Sequence, residues 1–431
     1  MTTLDRLKIP AVMQRRIRYD GNQLRVGEVA FAMDNFRRIK IVSAGKAAVP
    51  MAASLTDILA PQLAQGQTLD GIVVGATPFE RHGLRSFVGG HPTPTAQSLL
   101  AAAAVLEFLS DSDRDTLAFF LISGGASTML EQPLHPAMTL EDTAAFHQVL
   151  VHSGLRIQQM NALRKHFSAV KGGRLALAAA NATKCTLLVS DVPEGALEVI
   201  GSGPTLPDPS TVADCHALLR NHRDALPFSS KLLGFFTSAL PETPKAHHPA
   251  FLRASALALL SSNDLSAEAA RLAQQEGFHV VVDNGCDDWH YQSAAEYLLQ
   301  RMATLQRTYP KVCLLSVGEI SVKVEQCQGI GGRNQHFVLE CAARIAKSGQ
   351  RVTILSAGSD GIDGNSPAAG GIADHTTMAR AKALGMDLSS ALTRFDSHTL
   401  LEALGDTLVT GPSGNNVRDL RMFLADTQSR L

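Results

Sequence analysis

The chain has 431 residues, 45% of them apolar, and its 39 basic and 40 acidic residues leave a net charge of −1 at pH 7. That length exceeds one typical domain and supplies ample core, while the balanced charge gives no basic stripe for nucleic acid and no patch for a membrane surface. Six widely spaced cysteines without a C-x-x-C pair, three of them (Cys185, Cys313 and Cys341) inside apolar runs, and an N-terminus without a charged-then-apolar leader predict a cytoplasmic protein.

One pattern recurs along the chain. Short apolar runs end abruptly in small residues: 39–42 before Ser43-Ala44-Gly45, 72–74 before Gly75-Ala76, 117–122 before Ser123-Gly124-Gly125, and 187–189 before Ser190-Asp191. Further on, 312–315 leads to Ser316-Val317-Gly318-Glu319, and 353–355 to Ser356-Ala357-Gly358. Continuous apolar runs suit strands buried on both faces, as in parallel sheets. The Ala- and Leu-rich stretches between them (96–109, 140–153, 266–275, 294–307) carry helical periodicity. Alternating strand and helix predicts an α/β fold with largely parallel sheets, whose ligands bind beyond the carboxyl ends of the strands. Three prolines in the polar stretch 239–249 mark a boundary and divide the chain into 1–245 and 246–431.

The strand-end loops hold the chemistry. Gly45-Lys46 opens a helix (47–59), where Lys46 is either a surface cation or a point charge for a phosphoryl group. Ser123-Gly124-Gly125 is a second strand-to-helix turn with N–H groups for an anion. His91, in Gly89-Gly90-His91-Pro92, either orients a substrate or makes a structural hydrogen bond. Asn161, Arg164, Lys165 and Ser168 share one helical face, either a solvated basic surface or part of a site that continues into Lys171-Gly172-Gly173. Asp191 follows a strand, where a carboxylate can hold Mg2+ or accept a hydroxyl proton. In the second half, Glu319 ends a strand and Asp360-Gly361-Ile362-Asp363-Gly364 offers two carboxylates, for a hard cation or a turn. Gly329-Ile330-Gly331-Gly332-Arg333-Asn334 feeds a helix (334–348) whose N-terminus favours an anion, with the Arg333 fork at its mouth. The last loop, 410–417, is expected to enter a short helix. A lysine, an arginine, N–H nests and carboxylates at strand ends are what phosphoryl transfer requires.

As an ordered set, these motifs resemble the class II glycerate kinases, the glycerate 2-kinase family with a C-terminal MOFRL domain. The likeness runs through Gly45-Lys46-Ala47-Ala48, Gly90-His91-Pro92, Ser123-Gly124-Gly125, Asn161 with Arg164-Lys165-His166, Lys171-Gly172-Gly173, Ser190-Asp191-Val192-Pro193 and Ser202-Gly203-Pro204-Thr205. It continues with Gly331-Gly332-Arg333-Asn334-Gln335, Asp360-Gly361-Ile362-Asp363-Gly364 and Gly411-Pro412. The resemblance implies a Rossmann-like α/β domain over 1–245, a MOFRL-type α/β domain over 246–431, and a site in the cleft between them. It implies ATP- and Mg2+-dependent phosphorylation of D-glycerate to 2-phosphoglycerate, with Lys46 and Arg333 essential. Beside these, Asp191 is the candidate for the metal or for orienting the hydroxyl. Ser123, Gly124, Gly125, His91, Asn161, Arg164, Lys171, Gly331, Gly332 and Asn334 are assigned to substrate or phosphate, with Ser123–Gly125 and Gly331–Gly332 cradling phosphates, and Asp191, Glu319 and Asp360 to the metal. The expected partners are a small hydroxy acid and a nucleotide; a homodimer is compatible with this reading.

Several positions depart from the family pattern. Thr95, Gly195, Ala196, His336 and Pro367 stand where it usually carries carboxylates, a change that weakens metal binding or alters which acid fits. The competing readings are a divergent member that binds a sugar acid or nucleotide without turnover, and a hydroxypyruvate reductase. The reductase needs a dinucleotide fingerprint, and no G-x-G-x-x-G follows an early strand.

Overall fold

The computed structural model describes residues 3–190, 192, 195–238, 240–324 and 329–426. Two compact units divide the chain, one formed by Ile9–Leu259 and the other by the residues up to Lys8 together with those from Leu260 onward. The proline-rich stretch expected at the boundary lies inside the first unit. Asp208 N–H donates to the Pro244 carbonyl at 3.1 Å, and the Thr243 hydroxyl to the Asp208 carboxylate at 2.9 Å. After this stretch the chain adds one more strand to the first sheet before it leaves the unit.

The first unit begins with an antiparallel meander, β1 (Ile17–Asp20), β2 (Gln23–Val26) and β3 (Val29–Ala32). Four expected strands follow as β4 (Arg38–Ala44), β5 (Thr68–Gly75), β7 (Thr116–Ile122) and β8 (Thr183–Val189), and two that the apolar runs did not announce, β6 (Leu84–Val88) and β9 (Ala254–Leu260), complete the sheet. Their order is β6-β5-β4-β7-β8-β9, and the pairings from β6 to β8 are all parallel. All seven residues of β7 are buried, which is why this strand shows no alternation. The helices begin where reciprocal caps allow: Thr139 with Asp142 opens Leu140–His152, and Thr211 with Asp214 opens Val212–Asn221. In the central register Ala44 stands level with both Val74 and Ile122, so the loops after β4, β5 and β7 leave from the same height.

The second unit holds β10 (His279–Val282), β11 (Lys311–Gly318), β12 (Thr353–Gly358), β13 (Gly370–Ala373), β14 (Thr407–Leu408) and β15 (Asp419–Asp426), in the order β10-β11-β15-β12-β13-β14. Here the expectation of largely parallel pairing does not hold. Only β10 and β11 pair in parallel, because β15 inserts antiparallel between β11 and β12. Burial on both faces produces the same apolar run whatever the direction of the neighbour, so pattern alone cannot distinguish the two cases. The loop 410–417 therefore leads into this strand and not into a helix. Its register sets Asp419 opposite both Gly318 and Gly358, at the carboxyl ends of β11 and β12. The five cysteines among the described residues are all buried and free, and no described helix is long and apolar enough to cross a membrane.

A satellite core of aromatic rings supports the helices behind the first sheet. Phe146, fully buried, stacks on Phe167 at 4.1 Å between centroids and on Phe228 at 5.5 Å. Phe146→Ala is expected to destabilise the protein by about 3–5 kcal/mol. Urea unfolding followed by circular dichroism measures it, and a loss under about 1 kcal/mol would show that the cluster collapses into the gap.

Candidate active site

Two loops of the first unit lock together at the carboxyl edge of the sheet. Lys46 N–H donates to the Gly124 carbonyl at 2.9 Å, and Ala47 N–H to the Ser123 hydroxyl at 3.0 Å. This approach explains Gly45, which has φ +117°; a β-carbon there would lie 2.4 Å from Ser123 Oγ and 2.5 Å from its carbonyl oxygen. The Ser123 hydroxyl is thus taken up by the neighbouring loop. The N–H groups of Gly124 and Gly125, by contrast, donate to no described residue. The exposed Lys46 side chain and His91 both flank Gly125, whose added β-carbon would meet Lys46 Cγ at 3.4 Å and His91 Nδ1 at 3.6 Å. His91 Nδ1 lies 3.2 Å from the Thr128 hydroxyl. Burial, and then the nearby Lys46 charge, hold the His91 pKa below its ordinary value. Lys46, the Ser123–Gly125 turn and His91, far apart in sequence, therefore meet at one place, with one ammonium beside two N–H donors that have no acceptor among the described residues.

The basic face of helix Ile157–Phe167 is buried, so the solvated alternative falls away: Asn161, Arg164 and Lys165 are each at most 8% exposed. Lys165 pairs with Asp208 at 3.1 Å. Asn161 accepts from the Ser202 hydroxyl at 2.9 Å and donates to the Val199 carbonyl at 3.3 Å. Lys171, read from sequence as a substrate ligand, is held by Glu131 at 2.6 Å, the Ser168 hydroxyl at 3.3 Å and the Leu130 carbonyl at 3.4 Å. An ammonium has three donors, so none remains for a ligand. Glu131 also meets His147 Nε2 at 2.7 Å and the Ser168 hydroxyl at 2.5 Å. Burial opposes its charge, yet Lys171 and His147 hold its pKa at about 2. Sequence gave no sign of this hub; Glu131 is a lone carboxylate between Leu130 and Gln132.

In the second unit, most of the remaining candidates line one cavity of about 760 Å³: Glu319, Gly331, Gly332, Arg333, Asn334 and Asp360. The helix Arg333–Ser348 does begin behind the glycines, but its N-terminus is not open to an anion. The buried Asp363 carboxylate accepts from Asn334 N–H at 3.0 Å and Gln335 N–H at 2.8 Å, and from both side-chain amides at 3.2 Å. Burial still pushes its carboxyl up to about 6. A β-carbon on Gly332 would fall 2.3 Å from Asp363, so this glycine admits the protein's own carboxylate. The Asn334 side chain is fully engaged, since its oxygen also accepts from the Ser356 hydroxyl at 2.6 Å.

Arg333 does stand at the mouth, clamped by two carboxylates. Its Nε and Nη2 donate to Asp419 at 2.6 and 3.1 Å, and Nη1 to Glu319 at 2.9 Å. Burial alone would lower the Arg333 pKa; these partners raise it instead. Glu319 is the weaker partner, because burial raises its pKa and the adjacent Asp419 adds to the rise, with Arg333 acting against both. Asp419 escaped the sequence reading. As the first residue of β15 it reaches the site only because that strand runs antiparallel, a fact with no local signature. Asp360 lines the same cavity and accepts from Ile362 N–H at 3.2 Å. Among the described residues no three His, Cys, Asp or Glu side chains converge as a metal cage. Asp191, the remaining candidate, lies outside the described residues. Of the positions that depart from the family pattern, Thr95 caps helix Ala96–Ser110. His336 is buried against Phe395 at 4.3 Å and Tyr291 at 4.7 Å, its pKa lowered to about 4 by burial, so it serves as neutral packing.

Comparison with known proteins gives concordant matches. A family model described as a domain of unknown function (DUF4147) matches residues 1–233, and the MOFRL family model matches 312–419. A protein of Thermotoga maritima named D-glycerate 2-kinase is 33% identical over 391 residues, covering 90% of each chain. One of Pyrococcus horikoshii named glycerate 2-kinase is 33% identical, covering 89% of this chain and 86% of its own. An Agrobacterium vitis relative provisionally named hydroxypyruvate reductase is 35% identical over 398 residues, covering 90% of this chain and 87% of its own. The crystal structure of the Thermotoga maritima glycerate kinase superposes with a TM-score of 0.83 at 30% identity, covering 98% of this chain and 96% of that one.

The Glu131 hub supplies a stability test. Glu131→Gln leaves Lys171 buried without its counter-charge, and the expected loss at pH 7 is about 3–5 kcal/mol. Because the folded pKa is depressed from 4.5 to about 2, the charged carboxylate's contribution is complete above the unfolded value and disappears as pH falls toward the folded one. The gap between wild type and variant in denaturant titrations should therefore narrow across that interval.

Proposed function

The chain belongs to the glycerate 2-kinase family with a C-terminal MOFRL domain, and from that premise we propose that it transfers the γ-phosphoryl group of ATP to the 2-hydroxyl of D-glycerate. The substrate oxygen bonds the γ-phosphorus as the bond to the β–γ bridging oxygen breaks; ADP departs and the hydroxyl proton is released. Such a transfer is catalysed by position and charge more than by covalent chemistry. The observation that carries the reading is the grouping of Lys46 with the two open N–H donors of Gly124 and Gly125 at the end of a parallel strand. Lys46 neutralises phosphoryl oxygens as a point charge, and the glycine N–H groups receive them as a nest.

Arg333 supplies the second cation. A guanidinium has five N–H donors; the Asp419 and Glu319 contacts engage three and fix its plane. The two remaining N–H groups are free to meet phosphate oxygens. Glu319 and Asp360, on the wall of the same cavity, suit Mg2+, which binds through one or two carboxylates together with nucleotide oxygens and water. When bound, the ion would offset charge on the β- and γ-phosphates. The reductase name of one relative gains no support from this chain, because no G-x-G-x-x-G follows an early strand.

An ADP-release assay with ATP, Mg2+ and D-glycerate tests the proposal. Wild type should turn over, and Lys46→Ala should lower kcat by about 1,000-fold with an unchanged unfolding midpoint, since this exposed side chain has no protein partner among the described residues. Arg333→Ala should be comparably slow. Near-wild-type turnover by either variant, or NADH oxidation with hydroxypyruvate in place of ADP release, would overturn the assignment.

A further inference from the structure

The geometry points to Arg164 as the residue that binds the carboxylate of the acceptor acid. The identity of that acid rests on the kinase reading above; the need for an anion does not. Arg164 is 8% exposed, yet its guanidinium makes no hydrogen bond or ion pair with any described residue, and its Nε is enclosed without a partner. Its neighbours differ. Lys165, next in sequence, has Asp208, and Lys171 has Glu131. Glu131, the one carboxylate that acts on Arg164, is already engaged by Lys171, His147 and Ser168. Burial keeps His147 neutral by lowering its pKa. Arg174, also buried, with its Nε on the Ser168 carbonyl and its Nη2 orphaned, adds a further cation, so among the described residues the cluster around Glu131 carries more positive than negative charge. Enclosing an unpaired guanidinium is unfavourable, and an incoming anion would offset that cost. A planar fork buried at one place matches a carboxylate in two-point contact.

The surroundings connect Arg164 to the Lys46 pocket through contacts within the same unit. One turn before it, Asn161 holds the segment Leu197–Ser202 through the Val199 carbonyl and the Ser202 hydroxyl. That segment lies directly on the Ser123–Gly125 turn's following helix: the β-carbon position of Gly201 is 3.2 Å from Ala126 Cβ and 3.1 Å from Ile122 Cγ2. A three-carbon 2-hydroxy acid carries its carboxylate on the same carbon as the 2-hydroxyl, so the division of work is natural. Lys46 and the glycine N–H groups serve the phosphoryl group, and Arg164 serves the acid.

The test compares wild type, Arg164→Met and Arg164→Lys by steady-state kinetics with D-glycerate and ATP, by calorimetric binding of D-glycerate and of glycerol, and by thermal unfolding. Arg164→Met should raise the KM for D-glycerate by about 100-fold or more while the KM for ATP stays within about threefold. Its unfolding midpoint should not fall, because an unpaired charge has been removed. Wild type should bind D-glycerate and not glycerol, and Arg164→Met should bind neither. An unchanged KM for D-glycerate would overturn the inference, as would an equal rise for ATP, which would mark a nucleotide phosphate site. If Arg164→Met fails to fold, Arg164→Lys decides: a KM raised about tenfold supports the carboxylate contact, and a wild-type KM overturns it. Should wild type turn over no acid, the kinase reading fails, while calorimetry with D-glycerate still decides whether Arg164 holds a carboxylate.

Discussion

A buried carboxylate, Asp363, placed on the first N–H groups of helix Arg333–Ser348, is the contact from which the C-terminal cavity takes its shape. Four N–H donors meet its two oxygens, and the helix dipole favours negative charge at that end. The close approach is possible only because Gly332 has no side chain. With the helix start fixed in this way, Arg333 leaves its first turn toward β11 and β15, where Glu319 and Asp419 take the guanidinium from two strands. Burial pushes the Asp363 carboxyl up to about 6, so desolvation works against the charge that the four donors favour. A loop that looked suited to a ligand's phosphate is filled by the protein's own anion, and the ligand-facing charge is moved one residue on, to Arg333.

The first unit reaches a similar end by other means. Parallel register brings the ends of β4, β5 and β7 to one level, and two loops then interlock through the Gly124 carbonyl and the Ser123 hydroxyl. Interlocking takes up the Gly124 carbonyl and the Ser123 hydroxyl and leaves the Gly124 and Gly125 N–H groups without an acceptor among the described residues. Unpaired backbone N–H groups leave partial positive charge at this edge before any side chain is counted, and Lys46 adds a full one.

Buried charge in this protein is of two kinds. Glu131 with Lys171, and Asp208 with Lys165, are closed pairs, and hydroxyl and carbonyl groups hold Lys171 and Asp208 as well. Pairs of this sort position the chain and are expensive to break. Arg164 belongs to the other kind, a cation without a counter-ion among the described residues. The two sit on one helix and are separated by a single position in sequence, so residue type and spacing carry no hint of which is which.

The sequence by itself determined β4, β5, β7 and β8 of the first sheet and β11 and β12 of the second, together with the strand-end loops where chemistry gathers. Those features are local: apolar runs, glycine turns and helical periodicity are written in neighbouring residues. It also ordered the motifs well enough for the family resemblance to be seen. It could not tell that Asn161, Arg164 and Lys165 face inward, that Lys171 is closed off by Glu131, or that Asp363 and not a phosphate caps the helix behind Gly332. Nor could it place Asp419 beside Arg333, because that contact exists only through β15 inserting antiparallel between β11 and β12. Each of these depends on which distant segments meet, and so on long-range packing, which decides whether a charged side chain finds a partner in the protein or is left to find one in a ligand.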